Sequence, residues 1–287
     1  EKRFYTTNDI QMAYYSGPSE LSLTAGFKLE TNRIRSSMNE VPEFLKDSVT
    51  SSQWNYLEAG VFVRPSYVFK GKGYNINLTV PLIWQKTDAG KQGSDKQSFH
   101  HFVWTPSLRF YWKFHHFWEF MATGSYKHSP TSYMNLNDTY YYKNRNLLQR
   151  GIDGLGMDKQ TQGSLNLYYR NPFHAFWSRL NMTYTQNKSD LISGYDFIGT
   201  QPIYTWQMAN RSYKQFNVRG NVGKIVDAIQ TNLDVSIGYS HTLYTQYQQK
   251  TLRDTRSNQG YFIFNSNTRI TSWWDWELTW NSVVSHN

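Results

Sequence analysis

The sequence predicts an all-β protein, an antiparallel transmembrane β-barrel with about twelve strands in this chain, and three observations support that fold class. Apolar and polar residues alternate at period two in many segments, as in strands whose two faces meet different surroundings. Aromatic residues make up 17% of the 287 residues, while charged residues make up only 18% and the mean hydropathy is −0.69. Short and long connections also alternate along the chain, as expected for hairpins that cross a membrane.

The types of polar residue that give the chain its low mean hydropathy distinguish it from an ordinary soluble domain. A soluble domain of similar hydropathy covers its surface with Lys and Glu, but here Asn, Gln, Ser and Thr alternate with aromatic residues. The sequence has no run of about eighteen apolar residues, which excludes a membrane-spanning helix by length. Strands can cross a bilayer only as a closed barrel, because hydrocarbon offers no partner to an unpaired backbone group.

Cysteine count and charge exclude further classes of protein. The chain has no cysteine, so disulfide bonds, thiolate metal sites and thiol chemistry are excluded. The formal net charge is +9, but no Lys/Arg cluster supports nucleic-acid binding. The first residues, 1–5, lack the apolar core of a signal peptide, so we expect any export signal to be removed or to lie upstream.

The clearest strand pattern covers 74–85. One face of this segment is apolar and consists of Tyr74, Ile76, Leu78, Val80, Leu82 and Trp84. The other face carries Asn75, Asn77, Thr79 and Gln85. The same alternation predicts strands over 20–30, 100–113, 231–240 and 276–284, with a first strand near 4–15 and a last strand near 276–285. Helical periodicity is nowhere convincing.

Two kinds of connection separate these segments. Short connections rich in turn formers are predicted near 16–19, 70–73, 113–116, 171–174, 226–229 and 272–275. Longer polar connections are predicted at roughly 31–52, 87–98, 129–160, 188–212 and 248–258. This alternation predicts six hairpins with short periplasmic turns and long external loops. Residues 1–287 then form a single barrel segment in which no plug domain is present.

Aromatic residues concentrate at the ends of the hairpins with short turns. Amphipathic rings prefer the membrane–water interface, so this clustering predicts a periplasmic girdle. Its members are Trp112, Phe117, Trp118, Phe173, Phe176, Trp177, Trp273, Trp274 and Trp276. The alternative is a soluble sandwich with an aromatic core, and the clustering at one end of several hairpins argues against it.

Charged residues within the strands fall on the polar face, which we expect to face the lumen of the barrel. They are Lys28, Glu58, Arg64, Arg109, Glu119, Lys127, Arg170, Arg179, Arg219, Asp234, Arg269 and Glu277. One interpretation is a ladder of cross-strand charges that solvates the interior. The other is a docking wall for a plug domain or an anionic solute. The sequence leaves both interpretations open.

Candidate binding residues also lie in one long connection, where flat rings suit sugar or protein partners. They are Tyr133, Tyr140, Tyr141, Tyr142, Lys143 and Arg145. The pairs His100-His101 and His115-His116 do not predict a metal site, because adjacent strand residues point to opposite faces. No Ser/His/Asp set or phosphate-binding loop is recognisable, so we expect neither enzymatic activity nor a cofactor.

Three stretches carry a resemblance to a known family: FNVRGNVGKIVD over 216–227, TNLDVSIGYS over 231–240 and FNSNTRI over 264–270. In these three stretches the chain resembles the barrel region of TonB-dependent-receptor-like outer-membrane proteins of the Bacteroidota. The resemblance implies a barrel of about twenty-two strands in the outer membrane of a Gram-negative bacterium. It also implies an N-terminal plug domain and an energy-coupling segment, neither of which is visible in this sequence.

The resemblance implies that the chain forms the wall of an outer-membrane importer of a solute or glycan. Its implied partners are outer-membrane lipid, a plug domain, a surface lipoprotein or other envelope-complex subunits, and not nucleic acid. The alternatives are a scaffold barrel in an assembly or secretion complex and a soluble carbohydrate-binding β-protein. We further expect the first and last strands to pair with strands outside this sequence, because hydrocarbon cannot satisfy an open edge.

Overall fold

The computed structural model describes residues 2–37, 51–91, 97–130, 140–144, 147–152, 156–198, 201–248, 251–271 and 274–286. The strands are β1 (Lys2–Ser16), β2 (Ser19–Ser37), β3 (Ser51–Gly71), β4 (Tyr74–Thr79), β5 (Leu82–Lys91), β6 (Gln97–Trp104), β7 (Ser107–His115), β8 (Trp118–Pro130), β9 (Tyr140–Asn144), β10 (Leu147–Arg150), β11 (Met157–Asn171), β12 (Phe176–Ile198), β13 (Gln201–Val226), β14 (Thr231–Gln248), β15 (Thr251–Thr271) and β16 (Trp274–His286). Short 3₁₀ turns cover Pro172–His174 and Asp227–Ile229. Within these ranges, no helix has both the length and the apolar character needed to cross a membrane.

All of these strands belong to one sheet, which confirms the predicted all-β, antiparallel fold class. The hydrogen-bonded order is β1-β2-β3-β4-β7-β8-β11-β12-β13-β14-β15-β16, and neighbours in this order are antiparallel. β5 and β6 extend the ladder of β3, whereas β9 and β10 lie beside β13. In this order β1 and β16 are the two edges of the sheet.

The strands expected over 74–85 and 100–113 are each broken once, which corrects the prediction of two uninterrupted strands. Pro81 and Pro106 lie in the two breaks, and proline has no N–H to donate to a ladder. Their carbonyl oxygens still accept hydrogen bonds, from the Thr105 N–H at 3.1 Å and the Tyr126 N–H at 2.9 Å. The backbone groups beside each proline therefore stay paired, and the alternation of the faces continues across the break.

The strands run further than expected at the end with the longer connections. β12 and β13 continue as a paired hairpin through most of 188–212, which the sequence predicts as a polar connection. A small apolar core lies beside this extension and consists of Leu148 and Ile203, which are at most 2% exposed, with the Tyr140 ring packed against them. β10 pairs in parallel with β13, and this pairing places Leu148 directly beside Ile203.

The short connections adopt two kinds of backbone conformation. Gly17 and Gly73 have φ angles of 55° and 83° and allow two-residue turns between β1 and β2 and between β3 and β4. Ala175 and Gln230 instead take the left-handed conformation after a 3₁₀ turn, with φ angles of 43° and 46°. The Asn171 side chain caps the first of these turns by accepting two backbone hydrogen bonds. These turns set the register of each hairpin.

Close strand contact makes one glycine sensitive to substitution. A Cβ on Gly26 would overlap the backbone oxygen of Asn8 and lie 2.8 Å from Cζ of Phe62. A neighbouring backbone cannot yield without shifting the ladder, so we expect Gly26→Ala to destabilise the protein by about 1–3 kcal/mol. Gly124→Ala is the matched control, because a Cβ there meets nothing within 4 Å. Urea unfolding in lipid vesicles measures both variants, and equal losses would contradict this packing.

Candidate functional site

Along several strands of the sheet, large apolar side chains are exposed while the small polar side chains between them are buried, the reverse of the pattern in a soluble domain. On β2, Leu21 is 54% exposed, whereas the adjacent Ser22 and Thr24 are 9% and 8% exposed. On β14, Ile237 is 62% exposed and Ser236 only 2%. We name the side that carries Leu21 and Ile237 the apolar face, and the opposite side the polar face.

Strand registers connect these faces across the sheet, because directly paired residues point to the same side. Leu78 pairs with Leu108 on the apolar face, and Asn77 pairs with Arg109 on the polar face. The same register analysis places Leu82, Phe110, Ile237 and Leu278 on the apolar face. It places on the polar face Lys28, Glu58, Arg64, Arg109, Glu119, Lys127, Arg170, Arg179, Arg219, Asp234, Arg269 and Glu277.

One group of these charged residues forms a hydrogen-bonded network across β2, β3 and β5. The Lys28 ammonium donates to Oε1 of Glu58 and, at 3.0 Å, to Oε1 of Gln85. The Tyr56 hydroxyl donates to the other Glu58 oxygen at 2.5 Å. The side chains of Lys28 and Glu58 are only 23% and 12% exposed, so each charge depends on its partner. This network joins neighbouring strands through their side chains.

A second group lines a cavity of about 630 Å³ on the polar face of β11, β12, β13 and β14. Arg170, Arg179 and Arg219 each come from a different strand, and Asp234 supplies a single carboxylate. The Arg179 guanidinium lies 4.9 Å from the centre of the Tyr168 ring. Among the described residues, none of these arginines forms an ion pair. The cavity, which we name the arginine pocket, therefore has excess positive charge and can bind an anion.

Neutral polar side chains complete the arginine pocket, and sequence reasoning missed them. Asn166 accepts hydrogen bonds from Asn181 at 2.7 Å and from Arg179 at 3.4 Å. Asn221 donates to the Ser236 hydroxyl. These amides position the arginine side chain from the neighbouring strands. Asparagine at alternate positions of consecutive strands could have indicated these residues. Because asparagine is common throughout this chain, the pattern did not single them out.

The remaining predicted charges are spread along the polar face. Arg64 packs against the Phe62 ring at 5.6 Å. Lys127 contributes to a different cavity, lined by β8, β11, β12 and β13. Glu119 lies 4.0 Å from Lys113 in an exposed ion pair. Arg269 forms an exposed pair with Asp275 at 3.9 Å, and Arg109 and Glu277 are also exposed.

Much of the predicted aromatic girdle lies around two neighbouring short turns. Phe117 contacts Phe173 with ring centres 6.1 Å apart, and Tyr169 contacts both Trp118, at 4.8 Å, and Phe176, at 5.8 Å. Sequence reasoning did not include Tyr169, which links the two hairpins. The exposed side chains of Trp112, Trp274 and Trp276 lie on other strands, and Trp273 is outside the described residues.

Trp177 is placed differently from the rest of the predicted girdle. Its ring lies on the polar face, where it lines the arginine pocket. A Cβ on Gly223 of β13 would overlap that ring, so glycine leaves the space that the indole occupies. Alternation along β12 decides this placement, because Trp177 lies two residues before Arg179, and it pairs with Arg170 and Gly223 on the two adjacent strands.

Tyr140 is the one candidate loop-binding residue whose side chain the structure describes. Its ring packs against the buried Leu148 and Ile203, and the Arg150 guanidinium lies 5.3 Å from the ring centre. The tyrosine thus supports the small core beside β13. Tyr133 and Arg145 lie outside the described residues, as do the side chains of Tyr141, Tyr142 and Lys143.

The predicted opposite-face arrangement holds for His100-His101 but not for His115-His116, whose rings lie 5.6 Å apart at the turn after β7. His101 pairs with Gln85 on the polar face, whereas His100 pairs with Lys86 on the apolar face. In the part of the chain that the structure describes, no three His, Cys, Asp or Glu residues form a group that could hold a metal ion.

Comparison with known proteins gives a likeness of fold. No family model and no curated protein matches the chain. The copper transporter OprC aligns over 99% of this chain and 48% of its own, with 9% identity and a TM-score of 0.57. The siderophore receptor PirA from Pseudomonas aeruginosa aligns over 99% and 71%, with 10% identity and a TM-score of 0.39. A mutant ferric enterobactin receptor PfeA from the same organism aligns over 99% and 53%, with 10% identity and a TM-score of 0.39.

The chain thus spans about half the length of OprC. At 9% identity the match concerns backbone arrangement, and it shows that this sheet has the fold of strands from an outer-membrane barrel.

The network around Glu58 provides a test of the polar face. We expect Glu58→Gln to destabilise the protein by about 1.5–3 kcal/mol, because it leaves the poorly exposed Lys28 ammonium without its anion. Asp275→Asn is the control, since its pair with Arg269 is 68% and 60% exposed and such pairs contribute about 0–1 kcal/mol. Urea unfolding in vesicles measures both, and an equal small loss would show that Lys28 is solvated without Glu58.

Proposed function

We propose that this chain forms part of the wall of an outer-membrane β-barrel of a Gram-negative bacterium, of the kind that imports solutes by a TonB-dependent mechanism. The apolar face lies against lipid and the polar face lines the water-filled interior. The observation that carries this proposal is the inverted exposure, with leucine, isoleucine and tryptophan outside and serine, threonine and paired charges inside. In water such an apolar surface would drive aggregation, whereas lipid solvates it.

The connections orient this wall in the membrane. The short turns lie at the end that carries Phe117, Trp118 and Phe173, whose aromatic contacts suit the periplasmic interface. The opposite end carries the extended β12–β13 hairpin and the small core around Leu148 and Ile203. This end faces outward in our proposal, because external loops of such barrels are the long ones.

The edges of the sheet support a barrel with further strands. Within the described residues, β1 pairs with β2 and β16 pairs with β15, and each has its other edge open. Hydrocarbon cannot satisfy the backbone groups of an open edge. We therefore propose that both edges pair with strands beyond those described, in a barrel of about twenty-two strands.

Import is the proposed activity, because importers of this kind hold a plug domain inside the barrel. The arginine pocket gives the interior wall a place to bind one. Arg170, Arg179 and Arg219 present three guanidinium groups against the single carboxylate of Asp234, so the pocket keeps an excess of positive charge. We propose that the acidic side of a plug domain docks there, which closes the lumen between transport events. The copper transporter OprC shares the fold. A scaffold barrel, the second candidate, requires the same lipid-facing wall but no docking pocket.

The proposed orientation predicts that an introduced arginine is destabilising at one of two adjacent positions and tolerated at the other. We expect Leu78→Arg to destabilise the inserted protein by about 2–4 kcal/mol if position 78 lies near the bilayer midplane, because the charge then faces hydrocarbon. Asn77→Arg should cost far less, because that side chain points to the aqueous interior, where repulsion from the directly opposite Arg109 amounts to roughly 0.2–1 kcal/mol. Folding titrations into lipid vesicles measure both variants. Equal costs would remove the basis for the assignment of the faces.

Plug docking predicts a specific effect of the arginine pocket. In the full-length protein we expect Arg179→Ala/Arg219→Ala to lower the urea concentration at which a planar bilayer becomes conductive, because the plug loses charge-assisted hydrogen bonds of about 1.5–3 kcal/mol each. Barrel unfolding should require the same urea as before. Arg64→Ala is the control, since this arginine contacts the Phe62 ring away from the pocket. An unchanged threshold would refute docking at this site.

A further inference from the structure

Two parts of the polar face carry an excess of positive charge. The arginine pocket is one of them, with Arg170, Arg179 and Arg219. The other is a cavity of about 280 Å³ at the end of the sheet with the longer connections, which we name the upper cavity. Lys127 of β8 and Arg211 of β13 line it. Among the described residues, none of these five cations forms an ion pair.

The two cavities lie on the same face of the sheet, because residues an even number apart on one strand share a side. Arg211 lies eight residues before Arg219 on β13. Asn187 lines the upper cavity and Asn181 lines the arginine pocket, six residues apart on β12. At about 3.3 Å per residue, this spacing separates the two cavities by roughly 20 Å along the strands.

The surface between the two cavities is neutral and able to form hydrogen bonds. It consists of two cross-strand rows of hydroxyl and amide side chains on β8, β11, β12 and β13. The rows are Ser125, Gln162, Thr185 and Gln215, and Thr123, Ser164, Thr183 and Asn217. The Thr123 and Ser164 hydroxyls are hydrogen-bonded at 2.7 Å, and Asn217 donates to Thr183 at 3.3 Å. These rows contain no charged or aromatic side chain, so they place neither a charge barrier nor a bulky ring between the cavities.

The strands on the other side of the sheet differ, because a carboxylate neutralises the shielded cation there. Lys28 of β2 forms an ion pair with Glu58 of β3. The carboxylates that line the two cavities are Asp158 and Asp234, one in each cavity. They are fewer than the cations, so the polar face from β8 to β14 stays positive at both cavities.

We propose that the solute imported along this wall is a hydrophilic anion that carries carboxylate or phosphate groups. The anion binds first to Lys127 and Arg211 in the upper cavity, passes the two neutral rows and then binds in the arginine pocket. Guanidinium groups suit this class of solute, because they donate paired hydrogen bonds to carboxylate and phosphate oxygens. The proposal rests on the proposed function, in which the polar face lines the lumen and the longer connections are external. The plug occupies the arginine pocket at rest, so the anion reaches that pocket only after the plug has moved.

The exposure of these cations suits transport better than permanent binding. Clefts lined by charge of one sign raise the local concentration of the opposite ion, by roughly 10- to 1000-fold. Lys127, Arg170, Arg179 and Arg219 are exposed, so an anion bound to them keeps part of its hydration and can leave again. A passage requires both properties, because binding must be favourable enough for entry and weak enough for release.

Current through the full-length protein in planar bilayers tests the class of solute, at a urea concentration that makes the bilayer conductive while the barrel stays folded. The probes are glucose 6-phosphate, glucose and glucosamine, which share a sugar ring and differ in charge. Glucose 6-phosphate on the external side should reduce the chloride current, because it occupies the same cationic sites. Glucose and glucosamine at the same concentration should leave the current unchanged. An equal effect of all three probes, or no effect of glucose 6-phosphate, would overturn the proposal.

A double variant tests the residues of the upper cavity. Lys127→Gln/Arg211→Gln should raise the concentration of glucose 6-phosphate that halves the current about tenfold, as expected for the loss of about 1.4 kcal/mol of binding. Lys214→Gln/Arg256→Gln is the matched control, since it removes one lysine and one arginine from the apolar face. Both control residues pair with Leu243 on β14. Equal effects of the two double variants would overturn binding in the upper cavity.

The same recordings separate this proposal from the proposed function. A protein that conducts but responds alike to the charged and neutral sugars disproves only the anionic solute. A protein that never conducts below the urea concentration that unfolds the barrel disproves the importer wall.

Discussion

The pairing of backbone N–H and C=O groups between neighbouring strands is the constraint on which the rest of this structure depends. Hydrocarbon cannot replace a missing partner, so in the proposed membrane wall the ladders must continue wherever the sheet crosses lipid. Even the breaks at Pro81 and Pro106 keep this pairing, since each proline carbonyl accepts a hydrogen bond from the neighbouring strand. Continuous ladders force side chains to alternate between two faces, and this alternation allows one sheet to meet lipid and water together.

The polar face carries a second requirement where its charged groups are shielded from solvent. Lys28 and Glu58 meet this requirement through each other and through Gln85 and Tyr56. The arginine pocket differs, because Arg170, Arg179 and Arg219 are exposed, and no carboxylate forms an ion pair with Arg179 among the described residues. This excess of positive charge is the physical basis for the proposal that the pocket binds a partner.

The two faces of the sheet depend on the same alternation. Lys28 and Gln85 belong to the network on the polar face, while the adjacent Phe27 and Trp84 lie on the apolar face. A shift of register by one residue would exchange these roles and destroy both surfaces. The turns that set the register, such as those at Gly17 and Gly73, therefore matter for function although they lie far from either site.

The sequence by itself determined the fold class and the face on which each charged strand residue lies, because alternation at period two is a local property of the chain. It did not predict the breaks in the strands over 74–85 and 100–113, although their prolines are visible, because the neighbouring segments keep their alternation. Only the tertiary structure decided which side chains meet. Arg170, Arg179 and Arg219 converge on one pocket, and Lys28, Glu58 and Gln85 meet in one network. Each of these depends on the register between strands distant in sequence, which no local pattern encodes.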